Sequence, residues 1–285
     1  MTSGPEADFA RSCVPSITTS GRRTSLLTED GVRIDASRTP PRAPAGTPAD
    51  DLAIVLAHGF TGALERPALR RAAEVFAQRA AVITFSFRGH GRSGGRSTVG
   101  DREVLDLAAA VGWARALGYR RVATVGFSMG GSVVLRHAAL YGGAREGRTD
   151  AHTDMVVSVS APARWFYRGT ASMRRLHWVV TRPTGRLVSR LGLRTRIHPE
   201  DWDPVPLSPV AAVPRIAPTP LLIVHGDQDP YFPLDHPRML AGAAGPDGCD
   251  LWLEPGFGHA ENAAPAELLE RIAAWTAERV ADLAA

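Results

Sequence analysis

The chain has 285 residues, 44% hydrophobic and 22% charged, a balance that excludes fibrous and wholly disordered classes. Its formal net charge is +4 and every basic residue is arginine, but no aromatic stripe accompanies these scattered charges, which argues against a nucleic-acid partner. Two cysteines, Cys13 and Cys249, cannot build a disulfide framework, and no Cys/His cluster has the spacing of a metal site.

From the N-terminus, residues 1–24 are rich in Ser, Thr, Gly and Pro and are expected to form a flexible tail. There is no long apolar core of a signal peptide and no run of the roughly 18 to 20 apolar residues that spans a bilayer, so the expected location is cytoplasmic. Leu26 to Ala36 is expected to form a short hairpin around Glu29-Asp30-Gly31, followed by a loop over 39–50. The stretch 52–57 is continuously apolar, as in a strand buried on both faces. A helix should follow, with Leu69, Ala72, Ala73, Phe76 and Ala80 on one face, then a strand over 81–87. Asp101 to Leu117 predicts a helix whose first-turn acids favour its positive end. Strands are expected at 121–126, 155–160, 221–225 and 250–253, with helices at 130–140 and 265–283.

Strand and helix thus alternate over 52–283, which predicts one α/β domain over 25–285 with a mainly parallel sheet and helices on both faces. In such sheets ligands bind beyond the carboxyl ends of the strands. The stretch 161–219 breaks the rhythm. It is longer than a crossover needs, holds Trp165, Phe166, Tyr167, Trp178 and Trp202, and between Ala161 and Arg196 its only charged residues are arginines. It is expected to be a cap inserted over the site, with an ordinary crossover helix and irregular flanks as the alternative.

Gly126-Phe127-Ser128-Met129-Gly130 has the pattern G-x-S-x-G between an apolar strand and a helical stretch. Presenting a serine hydroxyl clear of the backbone requires a sharp strand-to-helix turn, and small residues two positions either side let strand and helix approach. The hydroxyl also needs a base. His259, in Gly256-Phe257-Gly258-His259, is the only histidine after the last predicted strand. An acid must orient that base. In His225-Gly226-Asp227-Gln228-Asp229-Pro230, Asp229 lies further into the turn and is preferred, while Asp227 is expected to anchor the turn through local backbone bonds. Two backbone N–H groups should hold a developing oxyanion: that of Met129, at the helix N-terminus, and that of Phe60, in His58-Gly59-Phe60-Thr61-Gly62. His58 and His90 are expected to be structural.

Together HGFTG at 58–62, FRGHGRSGG at 87–95, GFSMGG at 126–131, HGDQDPYFP at 225–233 and GFGH at 256–259 resemble the α/β-hydrolase superfamily, in particular its monoacylglycerol lipase-like esterases and serine aminopeptidases. The resemblance covers roughly residues 26–283 and implies a catalytic triad of Ser128, Asp229 and His259, with oxyanion donors at Phe60 and Met129. It implies hydrolysis of a small-molecule acyl ester or thioester with no metal or organic cofactor. A peptidase or acyltransferase, and a binding protein without turnover, are the alternatives. Arg168, Arg174 and Arg175 raise the further expectation of weak contact with an anionic membrane surface.

Overall fold

The computed structural model describes residues 23–42, 51–142 and 150–282. Its central strand, β3 (Leu52–Ala57), is apolar and buried at every position. Because successive side chains point to opposite faces, Leu52, Ile54 and Leu56 enter one core layer while Ala53, Val55 and Ala57 enter the other. The same apolar continuity makes β4 (Ala81–Phe85), β6 (Met155–Val159) and β7 (Leu221–Gly226) buried throughout. With β5 (Arg121–Phe127) and β8 (Asp250–Glu254) these strands run parallel. The hairpin of β1 (Arg23–Leu27) and β2 (Arg33–Thr39) adds an antiparallel edge, so the eight-stranded order is β1-β2-β4-β3-β5-β6-β7-β8.

Helices cover both faces of the sheet. On one, α1 (Pro67–Phe76) and α9 (Ala266–Asp282) supply Leu69, Phe76, Leu268, Leu269 and Ile272. On the other, α2 (Glu103–Ala116), α3 (Met129–Tyr141) and α7 (Asp235–Ala244) supply Leu107, Val111, Val133, Leu135 and Leu240. Each such fully buried side chain contributes about 1.5–3 kcal/mol. The sheet's strand order reverses between β3 and β5, which opens a crevice at their carboxyl ends.

The mainly parallel sheet covered on both faces is as expected, and three local readings are corrected. Arg23 and Thr24 belong to β1 rather than to a tail; residues 1–22, with Cys13, and 43–50 of the expected loop lie outside the described residues. The helix α7 had no counterpart in the sequence reading. The first-turn acids of α2 serve more than its dipole, for both are buried. Glu103 accepts from the Ser97 hydroxyl (2.7 Å), the Thr98 hydroxyl (2.7 Å) and the N–H groups of Thr98 and Gly100 (2.9 Å each). Asp106 accepts from the Arg88 N–H at 2.7 Å and from its guanidinium, which also pairs with Asp30. These acids pin the loop from Arg88 to Gly100 along the crevice.

Within 161–219 lie α4 (Ala171–Thr181), α5 (Pro183–Gly192), the short α6 (Pro209–Ala212) and a 3-10 turn at Val213–Arg215. Thr170 caps α4 by accepting the Met173 N–H, and Pro183 starts α5 where its missing N–H costs nothing. The strand-like run after α5 is stitched to the Arg88–Gly100 loop: the Ser97 N–H donates to Arg196 O at 2.7 Å and the Arg196 N–H to Gly89 O at 2.8 Å. Among the described residues no helix is long and apolar enough to cross a membrane.

Burial holds four histidines well below their ordinary pKa: His58 and His137 at about 3, His90 and His236 at about 4. Each is neutral in the fold but takes a proton in the unfolded chain below about pH 6.5, so its contribution is complete above that pH and is lost on acidification through the window down to its folded value. Burial pushes Asp106 up to about 7 and raises Glu261, which opposes this trend, while burial also lowers His177 and His225, which adds to it. Urea denaturation should therefore show lower stability at pH 5 than at pH 7, each histidine adding a slope of at most about 1.4 kcal/mol per pH unit. A flat profile would mean that these histidines are not held neutral.

Candidate active site

Ser128 stands at the turn between β5 and α3 with φ 53° and ψ −113°, a left-handed conformation strained for a side chain of its kind. The turn is possible because its flanks are glycines. A Cβ on Gly126 would lie 2.1 Å from Gly130 O, and one on Gly130 would lie 2.2 Å from Ala57 O. The strain lifts the Ser128 side chain off the sheet into the crevice. Its N–H donates to Val159 O at 2.8 Å, which fixes the turn on β6.

His259 follows β8 and precedes the short helix α8 (Ala260–Ala263). Its Nε2 lies 2.9 Å from Ser128 Oγ and its Nδ1 2.7 Å from Asp229 Oδ2. A carboxylate only accepts, so Nδ1 carries the proton and Nε2 is free to accept from the serine hydroxyl. The Asp229 side chain is fully buried and its other oxygen accepts the N–H groups of Tyr231 (2.8 Å) and Phe232 (3.1 Å). The Tyr231 ring lies 4.3 Å from the imidazole, which limits its rotation. His225 Nε2, 3.6 Å from the same carboxylate, is committed to Phe232 O at 2.8 Å. The three residues singled out in the sequence therefore form one hydrogen-bonded chain.

Asp227 is exposed and accepts the Gly256 N–H at 2.7 Å. Its bond is not local as expected: it joins the turn after β7 to the turn after β8, three residues before His259. His58 and His90 have the expected bracing geometry. His58 donates to Gly59 O through Nδ1 at 2.7 Å and accepts the Phe87 N–H on Nε2 at 3.0 Å. His90 accepts the Thr61 N–H at 3.3 Å.

The loop after β3 faces Ser128. The Gly59 N–H donates to Glu261 Oε1 at 2.9 Å, the Thr61 N–H to His90 and the Gly62 N–H to Gly59 O. Among the described residues this leaves the Phe60 N–H as the uncommitted amide of that turn. Met129, first in α3, has an N–H beyond the reach of the helix's own carbonyls.

Glu261 was missed in the sequence, where an acid two residues after His259 has the look of an exposed helix start. It is 5% exposed, burial raises its pKa, and its Oε2 has no partner among the described residues. The carboxyl lies where a Cβ on Gly59 would meet it at 3.3 Å and the Ser128 Cβ at 3.4 Å. It straps the loop after β3 to the segment that carries His259. Arg71 reinforces the strap by donating to Glu261 O at 2.8 Å and Ala264 O at 3.0 Å.

Above Ser128 opens a cavity of about 520 Å³. Phe60, Val99, Met173, Ile197 and Phe232 line it with Trp165, Tyr167 and Trp202 from the 161–219 segment, and Arg164, Arg168 and Arg186 add charge. The Trp202 indole donates to Thr98 O at 2.7 Å, so the aromatic wall is tied to the loop that Glu103 pins. Trp178, grouped with these aromatics in the sequence, faces outward at 47% exposure.

Over residues 53–185 the chain matches the family model described as alpha/beta hydrolase fold. No curated protein matches it. Among solved structures it is similar to an esterase from Pyrococcus furiosus (22% identity, TM-score 0.65, covering 89% of this chain and 90% of that one). It is also similar to Est1E from Butyrivibrio proteoclasticus (20%, TM-score 0.61, 92% and 100%) and to the esterase domain of a Rhodothermus marinus protein (19%, TM-score 0.61, 90% and 98%).

Replacing Glu261 by alanine should leave the buried Gly59 N–H without an acceptor, at a cost of about 1–3 kcal/mol in chemical denaturation. Glu261→Gln keeps an acceptor oxygen and should lose clearly less. Equal losses would deny the strap a role in holding the loop.

Proposed function

This chain is an α/β-hydrolase-fold protein, and we propose that it is a serine hydrolase that cleaves a carboxylic ester or thioester through an acyl-enzyme intermediate. The observation that carries this reading is the Ser128–His259–Asp229 chain at the crevice, with distances of 2.9 and 2.7 Å. Ser128 Oγ attacks the substrate carbonyl while His259 Nε2 takes its proton, and Asp229 stabilises the imidazolium so formed. The N–H groups of Phe60 and Met129 receive the oxyanion; donors of this kind are worth about 3–4 kcal/mol each. His259 then protonates the leaving group and activates the water that releases the acyl group. The 161–219 segment acts as a cap whose aromatic side chains take the apolar part of the substrate.

A second reading, an aminopeptidase of the same mechanism, draws support from Glu200 and Asp201, which also line the cavity and have the charge to hold a substrate ammonium. The three arginines on that wall oppose it. Parallel assays on p-nitrophenyl esters and aminoacyl p-nitroanilides separate the two.

Fluorophosphonate should label the purified protein at Ser128, and p-nitrophenyl esters of increasing acyl length should be turned over. Ser128→Ala should melt near the wild-type temperature yet lose both labelling and at least about 10³-fold in kcat. Retention of turnover by the pure variant would sink the assignment. Asp229→Asn should cost on the order of 10³–10⁴ in kcat through the wrong imidazole tautomer, and Asp227→Asn about tenfold at most. The reverse ranking would transfer the orienting role to Asp227.

A further inference from the structure

The helices α4 and α5 have an inner and an outer side with different chemistry. Inward, Met173, Leu176, Val180 and Arg186 line the cavity above Ser128. Outward, large apolar side chains lie in solvent: Trp178 at 47% exposure, Leu187 at 55%, Val188 at 51% and Leu191 at 73%. Only Met173, Gly185 and Ser189 of the two helices are buried. On α5 the positions 187, 188 and 191 share one face, and on α4 Trp178 forms a shallow groove with Ala171, Val179, Arg174 and Arg175. Water gains nothing from such a surface, and no other described part of the fold covers it.

Charge selects the occupant. From Arg164 to Pro199 there are nine arginines and no acid. Arg164 pairs with Asp235, Arg174 donates to Arg168 O and Gly169 O, and Arg186 donates to Val180 O and Thr181 O. Arg175, Arg182 and Arg190 are exposed and make no ion pair among the described residues; Arg175 lines the groove with Trp178, and Arg190 is next in sequence to the exposed Leu191. Glu200 and Asp201, the nearest acids in sequence, belong to the cavity wall. A second copy of this chain would bring one all-arginine surface against another, which like-charge repulsion disfavours. An acyl-chain boundary beneath anionic headgroups satisfies both halves of the surface: apolar side chains enter the interface while guanidinium groups reach back to phosphates along their aliphatic stems.

We propose that the outer face of the α4–α5 pair docks this protein on an anionic lipid bilayer. Trp178, Leu187, Val188 and Leu191 are the inserted side chains and Arg175, Arg182 and Arg190 the headgroup contacts. The proposal is independent of the hydrolytic reading. Docked in this way, the cavity lies directly behind the bound surface.

The test is co-sedimentation of the full chain with vesicles of phosphatidylcholine alone or with about 30% phosphatidylglycerol, at about 50 mM and about 500 mM salt. The protein should sediment with the anionic vesicles at low salt, bind the neutral ones at least about tenfold more weakly, and be released by high salt. Replacing Arg175, Arg182 and Arg190 together by Glu should abolish sedimentation. The pair Trp178→Ser and Leu191→Ser should weaken it about tenfold or more while keeping the dependence on anionic lipid. Circular dichroism of each variant verifies the fold, and the two variants alter different side chains, so one poorly folded variant leaves the other as the test. Equal binding to both vesicle types, or none to anionic vesicles at low salt, overturns the proposal. So does a wild-type dimer in lipid-free buffer that Trp178→Ser and Leu191→Ser convert to monomer, because the face would then belong to self-association.

Discussion

The close approach of three backbone segments at the end of β5 is the constraint on which the rest of the site depends. Strand β3, the strained turn at Ser128 and the first turn of α3 meet at distances that no Cβ on Gly126 or Gly130 could tolerate. The sheet supplies the force that holds them there, since β5 is hydrogen-bonded on both edges, to β3 and to β6, and its side chains are buried in both core layers. A strained residue persists only where its surroundings over-determine it. Once the turn is held, the remaining parts need only reach it, and both the loop after β3 and the segment after β8 do so from strands of the same parallel sheet.

Buried carboxylates do much of that reaching. Glu103, Asp106, Asp229 and Glu261 all accept backbone N–H groups from loops at the carboxyl end of the sheet. Away from water, a charge-assisted bond to an amide is strong and its loss leaves an orphaned polar group, so each acid fixes its loop more firmly than apolar packing of so few residues could. Their partners differ in kind. Asp106 faces the Arg88 guanidinium, Asp229 the Nδ1–H of His259 and Glu261 only an amide, and burial raises the pKa of both Asp106 and Glu261. The result is a set of loops placed in advance around Ser128, the condition under which fixed dipoles act on a developing charge without first reorganising.

The 161–219 segment joins two environments through one short stretch of chain. Its aromatic wall is tied to the core loops by Trp202 and by the pairing of Arg196 with Gly89 and Ser97, whereas α4 and α5 bury few side chains of their own. An element with so little buried apolar area of its own owes its place to its ends and to the hydrogen bonds beside them.

The amino-acid sequence by itself determined the alternation of strand and helix, because strands buried on both faces are continuously apolar and helices carry their stripe at a different period. It also determined the candidates Ser128, Asp229 and His259, since a glycine-flanked turn, an acidic turn and a late histidine each follow a strand whose carboxyl end is where a parallel sheet binds its ligands. The tertiary structure alone decided which letters with two meanings took which. An acid in a first helical turn can serve the dipole or rivet a loop, and only the packing of α2 against the Arg88–Gly100 loop makes Glu103 and Asp106 rivets. Glu261 follows the same rule, because its partner Gly59 is two hundred and two residues away. The tryptophans of the 161–219 segment are alike in sequence, yet Trp165 and Trp202 line the cavity and Trp178 faces outward. Local pattern sets how a residue is presented by its own element, but the side that element turns to its neighbours is set by contacts between segments far apart in the chain.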